Sequence, residues 1–198
     1  MYDSVMTLIL TDTFHLNETI AGAVMAADNV LALFLLPLFG ALSDKTNTRI
    51  GRRMPYIIGG TAAAVILMNL LPVLDNAYAA SPSPLILGLF IAALALLLVA
   101  MGVYRSPAVV LMPDVTPKPL RSRGNAVINL MGAVGGILYL ALAAVLYPAS
   151  RKVAGHVDYQ PLFIIVSLIM AVSVLALALT VKEKRLSEEN RALEKQHP

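Results

Sequence analysis

Five apolar blocks constrain this chain more than any other feature: Ile20–Ser43, Met54–Leu74, Leu85–Met112, Ala126–Tyr147 and Pro161–Val181. A helix of roughly 20 apolar residues, rising about 1.5 Å per residue, crosses the ~30 Å hydrocarbon core of a bilayer. Each block reaches that length, and the third is long enough to tilt or to project beyond the lipid. Leu, Ala and Met, all good helix formers, dominate them. No period-two alternation supports a membrane strand. The composition agrees: 58% of the 198 residues are hydrophobic and 14% are charged, where soluble domains carry about 45–50% and 25%. That balance excludes a disordered chain, a soluble α/β enzyme and a nucleic-acid binder. There is no cysteine, so disulfides, thiol nucleophiles and cysteine metal sites are excluded.

Polar breaks bearing prolines separate the later blocks: Asp75-Asn76 to Pro84, Asp114 to Asn125, and Pro148 to Gln160. Proline stops helix propagation. Thr19 or Asn17 is placed to cap the first full crossing. Residues 1–14 read as a partial helix, too short to span, like the second half of a truncated first helix. No basic segment, apolar run and small-residue cleavage site marks a signal peptide. The chain is therefore read as a transmembrane helical half-domain over 1–181 and a charged linker over 182–198, the latter a solvated, partly helical tail.

The basic residues set an orientation. Lys45, Arg49, Arg52 and Arg53 lie in one hairpin, Lys118, Arg121 and Arg123 in another, and Lys182, Lys184, Arg185, Arg191 and Lys195 in the tail. If crossings alternate, all three regions fall on one side, and the other side holds only Arg151 and Lys152. The positive-inside rule places the basic loops and the C-terminus in the cytoplasm. The expected location is the plasma (inner) membrane.

The stretch Gly40-Ala41-Leu42-Ser43-Asp44-Lys45 continues to Arg49-Ile50-Gly51-Arg52-Arg53-Met54-Pro55-Tyr56. Gly40 removes a side chain where helices approach closely. Asp44, at a helix end, is placed to pair with the arginines after it or to cap another helix. The plain alternative is a topogenic basic loop, but that role needs neither Gly40 nor Asp44. This stretch resembles the cytoplasmic signature between helices two and three of the major facilitator superfamily. Its Ser-Asp-Lys and Arg-x-Gly-Arg-Arg-x-Pro-Tyr form is similar to the glycoside–pentoside–hexuronide:cation symporters and the sucrose-transporter-like group. Pro113-Asp114-Val115-Thr116 and Arg121 to Asn125-Ala126 extend the resemblance to the fifth-helix entry.

The resemblance implies an all-α membrane protein, the N-terminal six-helix half of a facilitator fold. It implies a secondary active transporter, fragment or half, that couples a proton or other cation to sugar or glycoside symport by alternating access. Gly40, Asp44, Lys45, Arg49, Gly51, Arg52 and Arg53 would form a gating latch. The implied partners are the lipid bilayer, a small-molecule substrate, and a missing C-terminal half or a second copy, with no cofactor. The melibiose-type branch places acidic cation ligands at positions that are Ala32, Leu36 and Arg105 here. None is acidic, so protons fit better than sodium. Two other readings stay open: a drug or metabolite exporter of the same superfamily, and a non-transporting or dimerising half-size subunit.

Polar side chains at membrane depth are costly and are functional candidates by default. Asp28-Asn29 and Tyr104-Arg105 are the candidates for substrate or coupling, with Asn125 and Asn129 one helical turn apart as a second pair. Against this, Asp28 is more readily read as a buried carboxylate satisfied by neighbours, and Arg105 equally as a side chain reaching the headgroups. Asn69, Asn125 and Asn129 are weaker candidates, all three more often read as bridges between helices, and Gly132-x-x-x-Gly136 reads as a packing face. His15, His156 and His197 have no partner at metal spacing, and no hydrolase, kinase or phosphate-loop pattern occurs.

Overall fold

The structure, a computed structural model, describes residues 2–147 and 157–196. Arg151, Lys152, His156 and His197, on which orientation and metal arguments touched, lie outside them. Helix α1 (Tyr2–Leu8) runs into a π turn at Ile9–Thr13. Five long helices follow: α2 (Glu18–Lys45), α3 (Met54–Ala80), α4 (Pro84–Val115), α5 (Arg121–Leu146) and α6 (Gln160–Thr180). A charged helix, α7 (Glu183–Gln196), closes the chain. The five long helices are all long and apolar enough to cross a membrane.

Local sequence explains most of the boundaries. The Asn17 side chain accepts a hydrogen bond from the Thr19 N–H at 3.2 Å and caps α2, satisfying a donor the first helical turn leaves orphaned. Ser83 caps α4 in the same way, with Pro84 at the first helical position, where a missing N–H costs nothing. The break expected at Asp75-Asn76 is displaced: α3 continues to Ala80. Val73 to Ala80 holds no glycine or proline, so nothing stops the helix before Ser81-Pro82. Asp75 is consequently fully buried inside the helix end rather than solvated in a loop. Pro37, Pro72, Pro107 and Pro113 all sit within helices, as membrane helices tolerate when neighbours satisfy the freed carbonyls.

Helix α3 is the hub. It packs along α4 and α6, and α4 packs in turn on α2. In a membrane, small residues allow this close approach. A Cβ at Gly60 would collide with Tyr104 on α4, and one at Gly102 would press on Leu35 of α2. Gly40 on α2 faces Ser106 of α4, where a Cβ would lie 3.0 Å from its hydroxyl. The core gathers at one end of the bundle around Met6, Leu10, Phe14, Leu71, Phe90 and Phe163, and Phe14 stacks against both Phe90 and Tyr78. Helix α5 is different. It touches α4 and α6 lightly and buries no residue. Nothing lies within contact distance of Gly132 or Gly136, so the expected packing face is open among the described residues.

Candidate functional site

The end of the bundle opposite the aromatic core carries a charged clamp. It begins with the hairpin from α2 to α3. Thr48 and Gly51 exchange backbone hydrogen bonds at 3.3 Å, closing a tight turn. Gly51 takes φ +128° there, a backbone region that side chains disfavour. The turn delivers Arg53 to the start of α3, where it is 4% exposed.

The guanidinium reaches in three directions. Nη2 donates to Asp44 Oδ1 at 2.5 Å, and Nε donates to Asp114 Oδ2 at 3.1 Å. Nη1 donates to Ser43 Oγ at 2.6 Å and to the Gly40 carbonyl at 3.4 Å. One side chain thus ties the C-terminal ends of α2 and α4 to the N-terminus of α3. The arginine is buried while Asp44 and Asp114 retain 59% and 29% of their side-chain exposure. Burying such a cation costs several kcal/mol unless its donors are paired, and here they are.

A second contact comes from the tail. Glu183 is 3% exposed. Its carboxylate accepts from three successive backbone N–H groups, Arg52 at 2.7 Å, Arg53 at 3.0 and 3.1 Å, and Met54 at 2.9 Å. These point out of the start of α3, where the helix dipole favours an anion. A Cβ at Gly51 would overlap the Glu183 side chain. About two turns further on, Asn190 donates to the Asp114 and Thr116 carbonyls at 3.3 and 3.1 Å, capping α4. The linker expected to be a solvated tail is therefore docked by its first two turns. The physical reason is that α3 and α4 end in unpaired backbone groups that Glu183 and Asn190 satisfy.

The other candidates are more dispersed. Lys45 and Arg49 are exposed and Arg52 is half-buried, so of the basic motif residues Arg53 alone is drawn inside. Tyr104 packs into the core against Gly60. Arg105 turns the other way and borders a small recess between α2 and α4, with Ala32, Leu36 and Gly102 beside it. Asn29, Asn125 and Asn129 are exposed on α2 and α5. Asp28 lies on α2, and its side chain falls outside the described residues. Asn69 donates to Ser167 Oγ at 2.8 Å and bridges α3 to α6. Among the described residues no cluster of three or more His, Asp or Glu is placed to hold a metal ion.

Sequence reasoning missed the parts played by Asp75, Asp114, Glu183 and Asn190. Asp75 gave the signal of a polar loop. Glu183 and Asp114 meet the hairpin across 130 and 61 residues of chain, which no local pattern reveals. At the opposite end, burial, with the carboxylates of Asp12 and Asp75 close by, pushes the Tyr159 phenol up.

Five bilayer-length helices, three of them joined at one end by a buried charge clamp, define an integral membrane protein of the helical-bundle class. A family model, Major Facilitator Superfamily, matches residues 1–198, and the chain belongs to that superfamily. Its helices fit the N-terminal half of a facilitator fold. The chain is 35% identical over 83 residues to YdfJ of Escherichia coli (strain K12), which carries a transporter name. It is 34% identical over 70 residues to YnaJ of Bacillus subtilis (strain 168), and 34% over 55 residues to sll1374 of Synechocystis sp. (strain ATCC 27184 / PCC 6803 / Kazusa). Both are named uncharacterized symporters. The matched stretches take in 41%, 34% and 28% of this chain, and 18%, 15% and 10% of those relatives. No solved structure matches the chain.

Proposed function

We propose that this chain forms one wall of a cation-coupled symporter, with a sugar or glycoside as cargo and a proton as the coupling ion. The observation that carries the reading is the clamp on Arg53, which ties three helix ends to one another through Asp44 and Asp114. A cluster of that kind has two discrete states, made and broken, as a gate requires. The symporter names of two relatives support coupled transport. The Ser-Asp-Lys and Gly-Arg-Arg-x-Pro-Tyr motifs support sugar cargo by resemblance. Residues Ala32, Leu36 and Arg105, none acidic, favour protons over sodium.

The basic hairpins and α7 face the cytoplasm in this reading, and substrate binds near the midplane between this half and a second one. The exposed apolar faces of α2 and α5, with Leu33 70% and Ile137 66% exposed, suit a partner half. Arg105, Asn125 and Asn129 are the residues here that would border substrate, with Asp28 and Asn29 near the outer end.

The test is uptake of labelled sugars, with and without a proton gradient, by vesicles carrying this chain beside its second half. Asp44→Asn should lower uptake by about tenfold while insertion stays normal, the range of a coupling of ~1–3 kcal/mol. Undiminished uptake by that variant would sink the gate assignment. Uptake indifferent to the gradient would sink proton coupling.

A further inference from the structure

Beside the clamp, the start of α3 and the junction of α6 with α7 enclose an open recess of about 470 Å³. Four basic side chains line it, Arg49, Lys182, Lys184 and Arg185, against one carboxylate, Glu188. Arg185 is already engaged with Glu189 at 2.8 Å. Among the described residues no carboxylate forms an ion pair with Arg49, Lys182 or Lys184. The rest of the lining is apolar: Met54 and Ile58 come from the first turns of α3, and Ala178 from the last turn of α6.

The placement matters as much as the charge. Both helices are long and apolar enough to cross a membrane. Their adjoining ends lie where the hydrocarbon gives way to headgroups. A recess at that depth has a wet basic rim and a greasy wall. A free inorganic anion would use the rim alone. A phospholipid uses both, its phosphate at the lysines and its acyl chains along Ile58 and Ala178. Basic pockets between helices on the anionic leaflet have the physical character needed to hold lipid headgroups.

We infer that this recess binds the headgroup of an anionic glycerophospholipid, with Lys182 and Lys184 as its principal contacts. The lipid would sit against Met54 and so beside the Glu183 contact at the start of α3. This inference depends on the membrane placement of the helices and not on the cargo or the coupling ion.

The experiment is native mass spectrometry and thermal unfolding of the purified protein in detergent. The probes are dioleoyl-phosphatidylglycerol, dioleoyl-phosphatidylcholine and inorganic phosphate. Phosphatidylglycerol should be retained as a one-to-one adduct and should raise the melting temperature, and phosphatidylcholine should do neither. The double variant Lys182→Gln/Lys184→Gln should bind phosphatidylglycerol about 30-fold more weakly, the loss expected when two basic side chains leave an anionic surface contact. Lys118→Gln/Arg123→Gln, equally basic but remote from the recess, should bind as the parent does. Unchanged melting of the recess variant in phosphatidylcholine establishes that it folds. Equal retention of the two lipids, an unaffected recess variant, or stabilisation by inorganic phosphate matching that by the lipid would each overturn the assignment.

Discussion

Arg53 donates to Asp44, Asp114, Ser43 and the Gly40 carbonyl, while Arg49 beside the same turn stays exposed. Three arginines that look alike along the chain thus differ by a burial cost that only one of them incurs. Truncating it leaves Asp44, Asp114 and Ser43 without their shared donor, so Arg53→Ala should cost about 1.5–3 kcal/mol in thermal unfolding in detergent. Asp44→Asn should cost about 1 kcal/mol or less, because that carboxylate is 59% exposed and solvent screens it. Equal melting of the two variants would mean the guanidinium is not the centre of the clamp. Gly51 is the second critical position. Its φ of +128° and the Glu183 side chain against it leave no room for a methyl group. Gly51→Ala should cost about 1–3 kcal/mol and free α7, seen as faster tryptic cleavage after Lys184 and Arg185. That Asp44 could pair with an arginine of the following hairpin was legible beforehand, but which of Arg49, Arg52 and Arg53 it meets was not, because only packing against α4 draws Arg53 inside. The burial of Asp75 was not, because a carboxylate beside Asn76 reads as a loop until the packing of the neighbouring helix ends is known.

Helix α7 illustrates how an element acquires a role from its neighbours. Its composition is that of a solvated tail, and in isolation a 14-residue helix is marginal in water. The amide donors at the start of α3 and the carbonyls at the end of α4 give it two anchors. Glu183→Ala would leave the Arg52, Arg53 and Met54 N–H groups without their acceptor, each at about 1–3 kcal/mol if water cannot reach it. The expected result is hydrogen exchange at those three amides faster by at least about tenfold, with Glu183→Gln intermediate because it keeps the acceptor and loses the charge. Protection unchanged in Glu183→Ala would show that α7 does not cap α3. Between α3 and α6 the corresponding device is Asn69 with Ser167. Asn69→Ala should destabilise that pair of helices by about 0.6–1.7 kcal/mol, read as a lower melting temperature in detergent.

The whole bundle puts the α2–α3 hairpin, the end of α4 and α7 at one end, and the Asn76 contact with Asp158 at the other. Because the chain has no cysteine, this division is directly testable. Single cysteines replacing Ser122 and Ser187 should be labelled by a membrane-impermeant maleimide from one side of oriented vesicles, and one replacing Ser81 from the other. Labelling of Ser122→Cys and Ser81→Cys from the same side would refute the alternation of crossings. The number and approximate extent of the membrane-length helices were readable from residues alone, because long apolar runs of good helix formers specify them locally. Which ends meet was not readable. Burial of Arg53, Glu183 and Asp75 depends on backbone donors and carboxylates contributed from distant parts of the chain. The same holds for the exposed face of α5, where Gly132 and Gly136 announce close packing yet meet no neighbour among the described residues. Hydropathy is a property each segment carries with it, whereas a charge becomes a clamp or a surface group only when another helix arrives to desolvate it.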